Sequence, residues 1–74
     1  MTAAELQREA AERLCRGGEL ERLPTTVQEA ATLRLRFPSL SLRELAAKAS
    51  PPATKAAMQR RLARVVEAAG PGLS

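Results

Sequence analysis

The sequence predicts an all-α fold, a bundle of three to four helices, on three observations. Fifteen alanines and eleven leucines stand against three valines and no isoleucine, a balance that favours helix over strand. Apolar residues recur at helical spacing in successive stretches. Nothing alternates with period two for long, and helices account better for the Leu33/Leu35 and Leu40/Leu42 pairs. Glycine and proline punctuate the stretches at Gly17-Gly18, Pro24, Pro38, Pro51-Pro52 and Gly70-Pro71-Gly72.

The first helix begins at Ala3. Thr2 and Glu5 form a capping box, in which the threonine oxygen accepts the Glu5 N–H and the carboxylate reaches back to the cap. Leu6, Ala10 and Leu14, with Cys15, give a narrow apolar seam, and Gly17-Gly18 ends it. Acids and arginines alternate on its surface (Glu5, Arg8, Glu9, Glu12, Arg13, Arg16), each well-spaced pair adding about 0.2–0.5 kcal/mol. This helix either packs across the other three or trails as a connector to a further domain or a dimer contact. Cys15, the single cysteine and without a neighbouring base, is expected to be a small buried apolar residue rather than a nucleophile.

Residues 19–23 form a short link anchored by Leu20 and Leu23. Pro24 suits the first turn of the second helix, where its missing N–H costs nothing. That helix runs to about Arg36 and buries Val27, Ala30, Ala31 and Leu33 or Leu35, with Phe37 as the largest core wedge. Arg34 and Arg36 are expected to point away from the seam, towards solvent or a phosphate. Phe37-Pro38 ends the helix, because a residue before proline is pushed out of the α region.

The remaining pair, residues 41–69, is the stretch around which the chain is organised. Ser41 and Glu44 form a second capping box, and Leu42, Leu45, Ala46 and Ala49 mark one buried face of the third helix. Ser50-Pro51-Pro52 stops it, since proline has no N–H to donate. Thr54 then caps the fourth helix, although Ala57 at the third helical position leaves that box incomplete. Met58, Leu62, Val65, Val66 and Ala69 follow i, i+4, i+7, i+8 and i+11 along one apolar stripe. Two helices joined by a short proline-marked turn, the second longer and basic on its outer side, are the sequence form of a helix-turn-helix. The expected organisation is a lead-in helix over residues 1–18 and a helix-turn-helix DNA-binding domain over residues 19–74, one domain overall.

At about 100° per residue, Ala56, Arg60, Arg64 and Glu67 lie opposite the stripe, flanked by Gln59 and Arg61. Small side chains at Ala56 and Ala57 let the backbone approach base pairs closely, and a methyl can meet a thymine methyl. The expected base contacts are Ala56, Gln59 and Arg60, since glutamine can bind adenine, and arginine guanine, through two hydrogen bonds. The expected phosphate contacts are Arg43, Thr54, Lys55, Arg61 and Arg64, which position a protein without reading sequence.

The run from Leu23 to Ala69 also resembles a family. Leu23-Pro24, the segment Ala31, Leu33, Arg34, Leu35, then Pro38, Ser41-Leu42, Glu44-Leu45, Pro51-Pro52, Thr54-Lys55 and Arg61-Leu62 occur in the order of the C-terminal helix-turn-helix domain of WhiA-type sporulation transcription regulators. Leu6-Gln7-Arg8 is similar to that family's lead-in helix. Gln59-Arg60 stand where the family commonly has Asn-His, and Ala56-Ala57 where it has a small Ser-Gly pair, which bears on sequence preference. The resemblance implies a transcription regulator of sporulation or cell division, acting at promoters with a partner regulator and an RNA polymerase sigma factor. It also implies a large N-terminal domain, similar to a homing endonuclease but non-catalytic. These 74 residues do not include one, so the chain is expected to be either an excised module or a stand-alone one.

Charge placement agrees with this reading. In residues 1–40 six arginines cancel six glutamates, whereas residues 41–74 carry Arg43, Lys48, Lys55, Arg60, Arg61 and Arg64 against Glu44 and Glu67, so the whole net charge of +4 lies there. A polyanion docking on that half is the economical expectation. With one aromatic residue the chain lacks the stacking platforms of RNA-binding sheets and single-strand binders. No histidine and a single cysteine leave no zinc site, no glycine-rich phosphate loop occurs, and no cofactor or enzyme activity is expected.

No apolar run approaches the ~18 residues of a membrane span, and the acid-bearing opening does not read as a signal peptide. A cytoplasmic, nucleoid-associated protein is expected, with double-stranded DNA as its partner. The rival reading is a protein-interaction module whose basic helix docks on an acidic surface, such as a sigma factor or the family's N-terminal domain. A third is a dimer assembled through the alanine-rich first helix.

Overall fold

The computed structural model describes residues 2–70. Among them lie four α-helices and no strand: α1 (Ala3–Arg16), α2 (Thr25–Arg36), α3 (Leu42–Lys48) and α4 (Lys55–Ala69), with one 3₁₀ turn at Leu20–Arg22. All-α is therefore the fold class.

Both capping boxes form. Glu5 N–H donates to Thr2 Oγ1 at 3.1 Å, and Ser41 N–H donates to Glu44 Oε1 at 2.9 Å while Glu44 N–H returns to Ser41 Oγ at 3.1 Å. After α1 the chain reverses through Gly18, whose φ of +70° is the left-handed conformation that glycine adopts without strain. Glu19 N–H then closes onto Leu14 O at 3.0 Å. Pro24 stands one residue earlier than a first-turn position. It is the N-cap of α2, and its carbonyl accepts the Val27 and Gln28 N–H groups.

Two apolar clusters share α2 and α4. Ala30, Leu33, Leu45, Ala46, Ala49, Met58 and Leu62 join α2, α3 and the first half of α4. Ala10, Ala11, Leu14, Val27, Ala31 and Val65 join α1 and α2 to the second half of α4. The adjacent alanines Ala30 and Ala31 thus face different clusters, and their small side chains let α2 sit close to both neighbours. α1 packs on α4 and α2 rather than trailing. Leu20 and Leu23 pack at the edge of this second cluster, as the link requires.

Three further expectations are corrected. Arg34 does not point outward: at 2% exposure it is among the largest fully buried side chains, with Leu45, Met58, Leu62 and Val65. Its Nη1 donates to Leu40 O at 2.7 Å and its Nε to Gln7 Oε1 at 3.1 Å, with longer bonds from Nη1 to the Phe37 and Pro38 carbonyls. The guanidinium thus sits at the C-terminal end of α2, where orphan carbonyls and the helix dipole favour a cation. Burial lowers its pKa from the ordinary arginine value.

Phe37 is not the central wedge. It is half-buried at the edge of the first cluster, with Lys48 Nζ 4.6 Å and Arg36 Cζ 5.7 Å from its ring centroid. The ring face is taken up by cations, an arrangement that keeps one side of the aromatic near water. Cys15 is exposed. The buried side of α1 is Ala10, Ala11 and Leu14, and the helix ends at Arg16 before a further turn could cover the thiol.

Candidate nucleic-acid interface

The turn between α3 and α4 spans residues 49–54. Ala49 leaves the α region at ψ 153°, Pro51 and Pro52 supply no N–H, and Ala53 N–H closes the turn onto Ala46 O at 2.9 Å. Ser50 N–H donates to Glu29 Oε2 at 3.0 Å, so α2 also holds the turn. α4 then starts at Lys55 with Thr54 as N-cap, its Oγ1 accepting the Ala57 N–H at 3.0 Å.

The first turn of α4 differs from those of α1 and α3. It holds no acid, and Lys55 occupies the end at which α1 and α3 place a glutamate. A cation there opposes the helix dipole and contributes nothing to helix stability, so the positive end of α4 stands uncompensated and open to an anion. Met58, Leu62 and Val65 bury the inner side of the helix, which fixes the opposite side as the outer one.

On that outer side Lys55, Ala56, Gln59, Arg60, Ala63, Arg64 and Glu67 are all exposed. Arg61 is half-buried on the flank. The Arg64 guanidinium lies 3.7 Å from Glu67 Oε1, an exposed i, i+3 pair too long and too solvated to fix it firmly. The other ion pair among the described residues joins Arg8 to Glu12 on α1, so Arg43, Lys55, Arg60 and Arg61 have no carboxylate partner there.

The structure therefore gathers most of the sequence-derived candidates on one surface. Ala56, Gln59, Arg60 and Arg64 share the outer side of α4, and Thr54 and Lys55 stand at its N-terminal end. Arg43 belongs to the exposed side of α3, one element away, and Arg61 to the flank. Glu29 was not among the candidates, although it holds the turn that aims α4. Its bond spans 21 residues of sequence, and no local pattern announces it.

Among the described residues no group of three His, Cys, Asp or Glu side chains could hold a metal ion, and no pocket opens. No described helix is long and apolar enough to cross a membrane.

Comparison with known proteins agrees with this arrangement. Over 46 residues, 62% of this chain, it is 46% identical to the probable cell division protein WhiA of Clostridium novyi (strain NT). It is 41% identical over an equal length to the probable cell division protein WhiA of Clostridium tetani (strain Massachusetts / E88). The aligned stretch spans 14% of each relative's own length. No solved structure matches the chain significantly. The family described as the WhiA C-terminal HTH domain matches residues 1–69, which takes in all four helices, the proline-marked turn and the basic outer side of α4, and the chain belongs to that family.

Proposed function

We propose that this chain binds double-stranded DNA by placing α4 in the major groove, as the DNA-binding module of a transcription regulator. The observation that carries the reading is the outer side of α4. A polar and basic surface without carboxylate neighbours at Lys55 and Arg60 adjoins a helix N-terminus that no acid compensates. Ala56 lets the helix approach base edges, Gln59 and Arg60 read them, and Thr54, Lys55, Arg61, Arg64 and Arg43 hold phosphates on either side. The Thr54 oxygen is used in capping, but its hydroxyl proton remains free to donate.

The longest dimension of the described residues, 29 Å, is shorter than one turn of DNA at about 34 Å. A single copy therefore reads one groove segment, and strong specificity calls for a second copy or a tethered partner. The names of the relatives point to cell division, and the family resemblance to sporulation. A cytoplasmic, nucleoid-associated regulator working with a partner regulator and a sigma factor fits both.

The test is selection of bound duplexes from a random pool, followed by fluorescence anisotropy of the enriched duplex and a shuffled one at several salt concentrations. A steep salt slope with preference for the enriched duplex supports a DNA reader. Equal binding of both leaves a basic module without readout of its own. Absence of binding near physiological salt sinks the proposal and favours docking of α4 on an acidic protein surface.

A further inference from the structure

We infer that Glu29, a residue outside the basic surface, is a positioning residue that sets the sequence preference of α4; the inference rests on the DNA-binding reading above. The turn between α3 and α4 has few donors of its own. Pro51 and Pro52 have no N–H, and Ala53 N–H is used within the motif, closing onto Ala46 O. The bond from Ser50 N–H to Glu29 Oε2, 3.0 Å, ties the turn to a helix outside the motif. Ser50 stands four residues before Thr54, the N-cap from which α4 starts at Lys55.

The bond sits at the outer rim, beyond the buried alanines Ala30 and Ala49, so apolar packing does not replace it. Without it the turn is held at its ends only, by the buried Ala49 and by the backbone bond and half-buried side chain of Ala53, and the N-terminal end of α4 gains angular freedom. Phosphate contacts tolerate such freedom because a flexible cation follows its partner. Two-bond readout of a base edge by Gln59 or Arg60 does not. The carboxylate's bond, rather than its charge, is the working feature: a negative group beside the DNA-facing end of α4 is otherwise a cost to polyanion binding.

The experiment compares the wild-type chain with Glu29→Ala, Glu29→Gln and Glu29→Asp. Amide hydrogen exchange is followed by NMR, and anisotropy is measured with the enriched and shuffled duplexes. In Glu29→Ala the Ser50 amide is expected to exchange about tenfold faster, the scale of losing a hydrogen bond to a charged acceptor. The ratio of affinities for the two duplexes is expected to fall about fivefold, the scale of one lost base contact. Binding to the shuffled duplex should not weaken in Glu29→Ala, and should rise slightly in both Glu29→Ala and Glu29→Gln because each removes a negative charge near the DNA, while the salt slope stays as in the wild type. Glu29→Gln keeps an acceptor at the same reach and should restore both the protection and the preference. Glu29→Asp keeps the charge but shortens the reach, and should behave as the alanine variant.

Ser50 exchange unchanged in Glu29→Ala overturns the tether whatever the DNA result. Preference preserved in Glu29→Ala, or preserved in Glu29→Asp and lost in Glu29→Gln, overturns the positioning role. A wild-type chain that binds both duplexes equally has no preference for Glu29 to set and overturns the positioning role, whereas a wild-type chain that binds neither overturns the DNA reading itself. The exchange data then report on the tether alone.

Discussion

Arg34 Nε donates to Gln7 Oε1 across 3.1 Å, so a guanidinium buried in α2 fastens α1 to the bundle. The same group also donates to the Leu40 carbonyl at 2.7 Å, at the entrance to α3. One side chain therefore sets three things together: the end of α2, the path of the loop that follows, and the position of α1. Among the described residues no carboxylate pairs with its charge. The carbonyls at the end of α2 do so instead.

Removing this group should be expensive. Arg34→Met fills part of the volume but leaves the Leu40 carbonyl and the Gln7 amide without their donor, and should cost about 2–4 kcal/mol of folding stability. Arg34→Lys keeps the charge but cannot serve Gln7 and Leu40 together, because an ammonium lacks the fork of a guanidinium, and should fall in between. Urea unfolding followed by circular dichroism measures both. An Arg34→Met variant as stable as the wild type would remove the guanidinium from this account of the fold.

The docking of α1 predicts a cooperative molecule. Leu14 is 2% exposed and packs in the cluster that also contains Val27, Ala31 and Val65. Leu14→Ala should cost about 2–4 kcal/mol, as large-to-small substitutions in closed cores do. The loss should appear as one earlier transition of the entire helical signal. A biphasic melt, with a small fraction of the helicity lost first, would instead mean that α1 detaches from an independent three-helix core.

How much of this was legible in the sequence depends on the range of the interaction. The capping boxes at Thr2/Glu5 and Ser41/Glu44 were legible because both partners lie three residues apart. The inner side of α4 was legible because Met58, Leu62 and Val65 repeat with the helix. The burial of Arg34 is marked by the period alone: Val27, Ala30, Ala31 and Arg34 occupy i, i+3, i+4 and i+7, one continuous buried stripe. A charged side chain on that stripe reads as exposed by its chemistry, and the carbonyls that solvate the guanidinium lie in a loop whose path no pattern reveals. Cys15 follows the period from Ala11 at i+4, yet it lies in the last turn of α1 beyond the buried Ala10, Ala11 and Leu14, and the period does not show where the cover ends. Glu29 and Ser50 meet only because α2 and α3 pack, and nothing local links them.

Acid should loosen α3 first at its start. Glu44 has its pKa lowered from 4.5, chiefly by the backbone hydrogen bond from Ser41, then by the Ser41 side chain, with a smaller contribution from Lys48. A folded pKa below the unfolded one means that the contribution is present above the unfolded value and is lost as pH falls through the folded value. The wild type should therefore be more stable than Glu44→Gln at neutral pH, and the difference should shrink to nothing as pH drops below 4.5. Thermal melts of both chains across that range measure it. A difference that is constant with pH would show that the carboxylate's charge plays no part in the cap.

The two kinds of DNA contact should separate by their response to salt and to sequence. Lys55 stands at the N-terminal end of α4 without an acidic neighbour in its turn, which suits a phosphate contact, whereas Arg60 lies on the outer side where base edges would come. Lys55→Ala should weaken binding equally for enriched and shuffled duplexes and reduce the slope of log affinity against log salt by about 0.9. Arg60→Ala should cost about 1–3 kcal/mol on the enriched duplex and far less on the shuffled one. Arg64 offers an internal comparison, because its exposed pairing with Glu67 must be given up before it holds a phosphate. Glu67→Gln should accordingly strengthen binding to both duplexes without changing their ratio. If instead Arg60→Ala lowers affinity for the two duplexes alike, Arg60 is a phosphate contact, and base readout must lie with Ala56 and Gln59.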